Sequence, residues 1–374
     1  MAGIFFITVL WILLPLYSIS LPKDHQMHSA SDSERVQFVG QIATENGGYF
    51  GYELSFFRAK KAEEDKEIMN VIHFSIIDLK SGKSFFYEEL PDPKDPDKAN
   101  GNHFKRGNFS YTIQDTNHII INAKDPNKGM GIRLNLRNGK VLYHDNHDDH
   151  SRVYINSNYW SEYYSMTKLQ SEGEVLWDDE SFPGFGESWL DHEWSEPISF
   201  RKPPEDPPLD YVHSDFGWDK LILRWGDEDL LVYRIREERA GEIVHFATYR
   251  NSKETKYFFG NQIRMEPYPE LNSWKSPNSK VEYPTSWLVQ IPSIGLYKPI
   301  EPFDESSEYI AKTFRMTNRW KGMVRESQGP AWGYLELNGY VKDSPWYVDT
   351  LRYIKQKFGN LKSKFQKKQE SKPN

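Results

Sequence analysis

Cysteine is absent from the 374 residues. That absence removes disulfides, thiolate zinc sites and thiol nucleophiles in one step. Also missing are a Gly-rich phosphate loop, a Gly-x-Ser-x-Gly elbow and a His-Glu-x-x-His helix motif. An NTPase, a serine α/β-hydrolase and a zincin are therefore disfavoured. There is no excess of positive charge: the net charge of -7 gives no reason to expect nucleic acid as a partner. After the N-terminal segment no second long apolar run occurs, so the body of the chain is not expected to sit in a membrane.

The N-terminal segment itself is distinctive. Ile4 to Ile19 is almost wholly apolar, and Ser18-Ile19-Ser20 fits a small-x-small cleavage site. Pro15 and the short length weigh against a spanning helix. Residues 1–20 are thus expected to be a signal peptide, sending the protein to a secreted or periplasmic location, or a membrane anchor if uncleaved. Asn108-Phe109-Ser110 is a glycosylation sequon, usable only in a eukaryotic secretory route. Residues 21–33 are polar and read as a flexible lead-in.

The remainder of the chain reads as short strands and turns, and aromatics, at 15% overall, give it ample core material. Glu45-Asn46-Gly47-Gly48 and Ser81-Gly82 punctuate one series, which runs on through Phe109–Ile113, His118–Ala123 and Gly131–Leu136. A second series includes 220–225, 230–236, 243–249, 286–291 and 333–340. Strands at this spacing predict a sandwich or barrel. Helical spacing is found only near the end: Ser344-Pro345 offers a cap, and Tyr347, Leu351, Ile354 and Phe358 come after it at helical intervals. Beyond Gly359 the tail is Lys-rich and reads as solvated.

Two segments could carry chemistry: Trp189-Leu190-Asp191-His192-Glu193-Trp194 and Gly217-Trp218-Asp219. In a strand, side chains alternate, so His192 and Trp194 face one way while Asp191 and Glu193 face the other. Asp219 falls in line with Leu221, Leu223 and Trp225. A carboxyl on an apolar interior face is desolvated, which raises its pKa and suits it to general-acid work. The plainer alternative is a hydrogen-bonded knot with its tryptophans in the core. His144-Asp145-Asn146-His147-Asp148-Asp149-His150 has metal-binding residue types without a metal-site spacing, and reads as a solvated loop.

These pieces together resemble the hydroxyneurosporene synthase family, the carotenoid 1,2-hydratases, and their AttH-like relatives. The resemblance rests on Phe50 to Arg58, on Tyr163-Tyr164-Ser165-Met166-Thr167-Lys168-Leu169 with Gly173, and on the Trp189–Trp194 and Gly217–Asp219 signatures. Ser286 to Ile294 and Gly333 to Tyr340 resemble the closing strands. It departs at Val36-Gln37-Phe38, where paired tryptophans are usual, and at Lys321, where an acid is usual.

The resemblance implies an all-β protein with two tandem lipocalin-like β-barrel domains, expected over 34–185 and 186–343, then a helix and tail over 344–374. It implies a hydratase-like lyase that adds water across an alkene of an apolar, isoprenoid-type substrate, with no metal or organic cofactor. In that reading Asp219 protonates the alkene, His192 handles the water, and Trp194 and Trp218 face the cation. Trp189 lines the substrate side, while Asp191 and Glu193 orient the histidine. A secreted lipocalin-like binder of apolar ligands, or a cyclase or isomerase using the same cavity, is the alternative.

Overall fold

The computed structural model describes residues 19–29, 31, 33–60, 68–90, 98–125, 127–144, 151–156, 159–195, 216–237, 242–268, 273–310 and 319–340. Most of the expected signal peptide, the 145–150 part of the His/Asp run and the expected C-terminal helix lie outside these residues. Among the described residues the helical pieces are three-residue 3₁₀ turns at Lys23–His25, Gly260–Gln262 and Pro292–Ile294. No described helix is long and apolar enough to cross a membrane.

The architecture is all-β, with two curled, lipocalin-like sheets. Contacts divide the chain into two units, the first of residues 1–76 and 89–198, the second of residues 77–88 and 199–374.

In the first unit the strand Ser33–Thr44 lies between Tyr49–Lys60 and Glu180–Ser195, antiparallel to both. Glu180–Ser195 then pairs with the long strand Tyr159–Trp177. The hairpin after Thr44 turns through Gly47, whose φ of +82° suits glycine. Register sets the faces. Glu34, Arg58 and Trp194 are cross-strand neighbours, as are Val36, Phe56 and His192, and Phe38, Leu54 and Leu190. One sheet face therefore carries an apolar run with charged and aromatic groups gathered at one end.

The expected domain boundary at 185/186 falls inside the strand Glu180–Ser195. Pairing of that strand with Ser33–Thr44 along its length keeps 186–195 in the first unit, and the contact division comes after Ile198.

The second unit repeats the logic. Phe216–Trp225 pairs with Glu228–Glu237 on one side and Trp332–Asn338 on the other. Leu221, Leu223, Leu230, Val232, Trp287, Trp320, Leu335 and Leu337 form its core. Alternate residues such as Leu221 and Leu223, Leu230 and Val232, and Leu335 and Leu337 supply that core, as period-two patterning requires.

Candidate functional site

The stretch 19–29, with Ser31, is the largest departure from the sequence reading. It is docked, not a loose lead-in: Asp24 and His25 are buried, and the first unit's strands receive them. The 3₁₀ turn Lys23–His25 aims the two side chains inward. Arg58, from the end of Tyr49–Lys60, ties the stretch down through the carbonyls of His28, Ser29 and Ser31 and the Ser31 hydroxyl. A guanidinium supplies five donors, which lets one side chain staple three backbone oxygens.

At the centre stands Glu34. Its Oε1 lies 2.9 Å from His192 Nε2 and 3.0 Å from His28 Nδ1, and accepts the His28 backbone N–H at 2.9 Å. Its Oε2 pairs with Arg58 at 3.2 Å. The chain of contacts continues in both directions. His28 Nε2 is 3.5 Å from Asp24 Oδ1. His192 Nδ1 is 3.1 Å from the Tyr164 hydroxyl, which is 2.7 Å from His25 Nδ1. The His28 ring stacks on Trp194 with centroids 3.7 Å apart and planes 8° from parallel. Six side chains thus form one connected series: Asp24, His28, Glu34, His192, Tyr164 and His25.

Electrostatics follow from burial. Desolvation lowers His192, against the opposing pull of Glu34, so the imidazole rests neutral at ordinary pH. Burial, aided by repulsion from His192, brings His25 down to about 4. Burial alone would raise Glu34, but bonds from His192 and His28 outweigh it and hold the carboxyl below the ordinary range. Burial pushes the Tyr164 phenol well up, so it stays protonated. Beside Glu34 and Arg58 runs a narrow cleft walled by Met27, Val36, Phe56, Phe57, Val71, Phe104 and Tyr111.

His192 and Trp194 share this face, their ring centroids 5.0 Å apart. Asp191 and Glu193 point the other way, as alternation requires. The Asp191 carboxylate accepts from Trp189 Nε1 at 2.6 Å and from Ser165 Oγ at 2.5 Å. Glu193 pairs with Arg35 at 2.9 Å. Holding His192 thus falls to Glu34 and Tyr164, and Trp189 belongs to the opposite face with Asp191. Sequence reasoning assigned no role to Asp24, His25, His28, Glu34 or Tyr164. Arg58 and Tyr164 stand inside two of the motif strands that carry the family resemblance, and that was the available signal.

Asp219 lies in the second unit, fully buried in line with Leu221 and Leu223. Its Oδ2 accepts from Arg234, directly across the strand pair, at 2.7 Å and from Arg236 at 3.2 Å. Burial raises the carboxyl above its ordinary range, as expected of an acid on an interior face, and Arg236 and Arg234 pull against the rise without reversing it. The guanidiniums are themselves packed, Arg236 over Tyr340 and Arg234 over Trp287. Arginine stays charged, so the arrangement is an anion held by two cations. Trp218 is half-buried and, by alternation, faces away from Asp219. Lys321 is opposite Glu336 in register, on the other face from Asp219.

Residues 13–340 match the family model described as AttH-like. The chain belongs to the AttH-like family. Among solved structures this AttH-like chain is similar to an AttH protein of Nitrosomonas europaea, at 22% identity and a TM-score of 0.72, covering 88% of this chain and 99% of that one. It is also similar to kievitone hydratase of Nectria haematococca, at 12% identity and a TM-score of 0.64, covering 86% of this chain and 93% of that one. At these identities the likeness establishes the fold of the AttH-like chain. No curated protein matches it.

Proposed function

We propose that this AttH-like protein is a hydratase-like lyase acting on an apolar, isoprenoid-type alkene, with its proton chemistry centred on His192. The observation that carries the reading is the buried series His25–Tyr164–His192–Glu34 at the end of an apolar sheet face. Adding water to an alkene requires one proton delivered to carbon, one bond from water oxygen to the neighbouring carbon, and one proton removed from that oxygen. A single imidazole can do both transfers in turn. His192, charged at Nδ1 by a proton passed along Tyr164, would give its Nε2 proton to an alkene that takes the place of Glu34 at that nitrogen. Glu34 balances the imidazolium. Aromatic faces such as Trp194, Tyr111 and Phe104 suit the carbocation. Water then adds, and His192 recovers a proton. The fold shared with a kievitone hydratase supports the reaction class.

The sequence reading placed proton donation at Asp219. Asp219 has the raised carboxyl that the sequence reading asked for, but its Oδ2 is taken up by Arg234 and Arg236, and that pairing favours His192. The same ion pairing favours a second reading, a binder of apolar ligands without turnover. Incubation with a panel of isoprenoid alkenes in oxygen-labelled water separates them. We expect a product heavier by one labelled water, lost in His192→Gln. Alkene recovered bound and unchanged would establish the binder instead.

A further inference from the structure

We propose that His28, Glu34 and His192 form a binding site for one divalent transition-metal ion, with zinc the best match. Two nitrogens and one oxygen, from three separate parts of the first unit, converge within 4.8 Å of one another. His28 Nδ1 and His192 Nε2 stand 3.0 and 2.9 Å from the same carboxylate oxygen. Zinc bonds of about 2.0–2.1 Å to nitrogen and oxygen place neighbouring tetrahedral ligand atoms about 3.3 Å apart. The two nitrogen–oxygen separations fall a few tenths of an ångström short of that spacing, and the two nitrogens lie within 4.8 Å of each other.

The donor set selects the ion. Two imidazoles and one carboxylate suit zinc and its neighbours, while calcium and magnesium require oxygen-rich shells. Three protein ligands leave a fourth position for water or substrate, as in open zinc sites.

The surroundings of the ligands are as telling as the ligands. Metal-bound histidines usually donate their far N–H to a fixed acceptor, which sets the tautomer. Both histidines here have one. Asp24 Oδ1 faces His28 Nε2 at 3.5 Å, and the Tyr164 hydroxyl faces His192 Nδ1 at 3.1 Å. The ring of His28 is further fixed by its stack on Trp194. Arg58 holds the other Glu34 oxygen, leaving Oε1 toward the two nitrogens.

Proton accounting is consistent. The protons that now bridge both nitrogens to Glu34 must move to the far nitrogens when the ion enters. Tyr164 can turn its O–H from His192 to His25 Nδ1, 2.7 Å away, and accept the new His192 N–H, with the His25 proton moving from Nδ1 to Nε2. Asp24 accepts that of His28.

The proposal stands on this geometry and not on the hydration reading. An ion on His192 Nε2 would take that nitrogen out of proton transfer, so the loaded site and the proton-transfer reading exclude one another in any one molecule. The test reads binding, not turnover, so the two ideas fail separately.

Untagged full-length chain is stripped with chelator and titrated with zinc against a chromogenic indicator, then with cobalt in the visible range. His147→Ala/His150→Ala serves as background, to remove the other His- and Asp-rich run. We expect one equivalent of zinc, and a cobalt spectrum with the intense bands of tetrahedral coordination. His28→Gln keeps an amide toward Glu34 and should bind zinc about 100-fold more weakly. Asp24→Asn should weaken it roughly 10–100-fold. No zinc bound at micromolar levels, an unchanged affinity in folded His28→Gln, or the pale spectrum of hexa-aquo cobalt would each overturn the site.

Discussion

At the scale of single residues, the two acids that flank His192 do structural work on the opposite face. Asp191 is buried and takes the Trp189 indole N–H at 2.6 Å. A hydrogen bond to a charged acceptor contributes about 1.5–3 kcal/mol, and losing the donor leaves a buried carboxylate short of a partner. Trp189→Phe should therefore lower the unfolding free energy by about 1.5–3 kcal/mol, seen as a lower urea midpoint with an unchanged slope. An unchanged midpoint would mean that the other partners of Asp191 satisfy it. The alternation of this strand was legible from sequence because it is local: each side chain's direction follows from its neighbour's. The partners were not. Glu34 reaches His192 across 158 positions of sequence, and nothing near either residue announces the other.

At the scale of elements, close strand approach constrains the first unit more than its turns do. A Cβ on Gly186 would sit 1.8 Å from the Gln41 carbonyl oxygen, inside the pairing of Glu180–Ser195 with Ser33–Thr44. A Cβ on Gly47 would meet nothing within 4 Å, although its φ of +82° is unfavourable to other residues. Gly47→Ala should cost about 1 kcal/mol through backbone conformation. Gly186→Ala should cost more, about 1–3 kcal/mol or above, because two paired backbones must part. Thermal unfolding of the two variants checks the order, and equal losses would contradict it. The docked stretch 19–29 shows what sequence pattern hides at this scale. Its residues are mostly polar, so pattern alone assigns it to solvent. It docks because its histidines find partners on strands from elsewhere in the chain, its acid is held by Ser20 and His28 of the stretch itself, and Arg58 satisfies its carbonyls.

At the scale of the whole molecule, each unit combines an apolar core with buried charged clusters. The family and the barrel architecture were legible because motif strands keep their order along the chain. The roles within them were not, because a motif acid reads the same whether it reacts or is bridged. Asp219 is such an acid. Removing its charge leaves Arg234 and Arg236, each largely buried, without their shared anion. Breaking a buried pair in this way costs about 3–5 kcal/mol. His192→Gln is different. It retains a donor toward Glu34, but an amide cannot carry a proton back and forth. Asp219→Asn should therefore lower the urea midpoint strongly while turnover per folded molecule persists. His192→Gln should keep most of the stability and lose turnover. Product formation, normalised to the folded fraction from unfolding curves, distinguishes the two variants. If Asp219→Asn is folded and inactive while His192→Gln still turns over, proton donation belongs to the second unit after all.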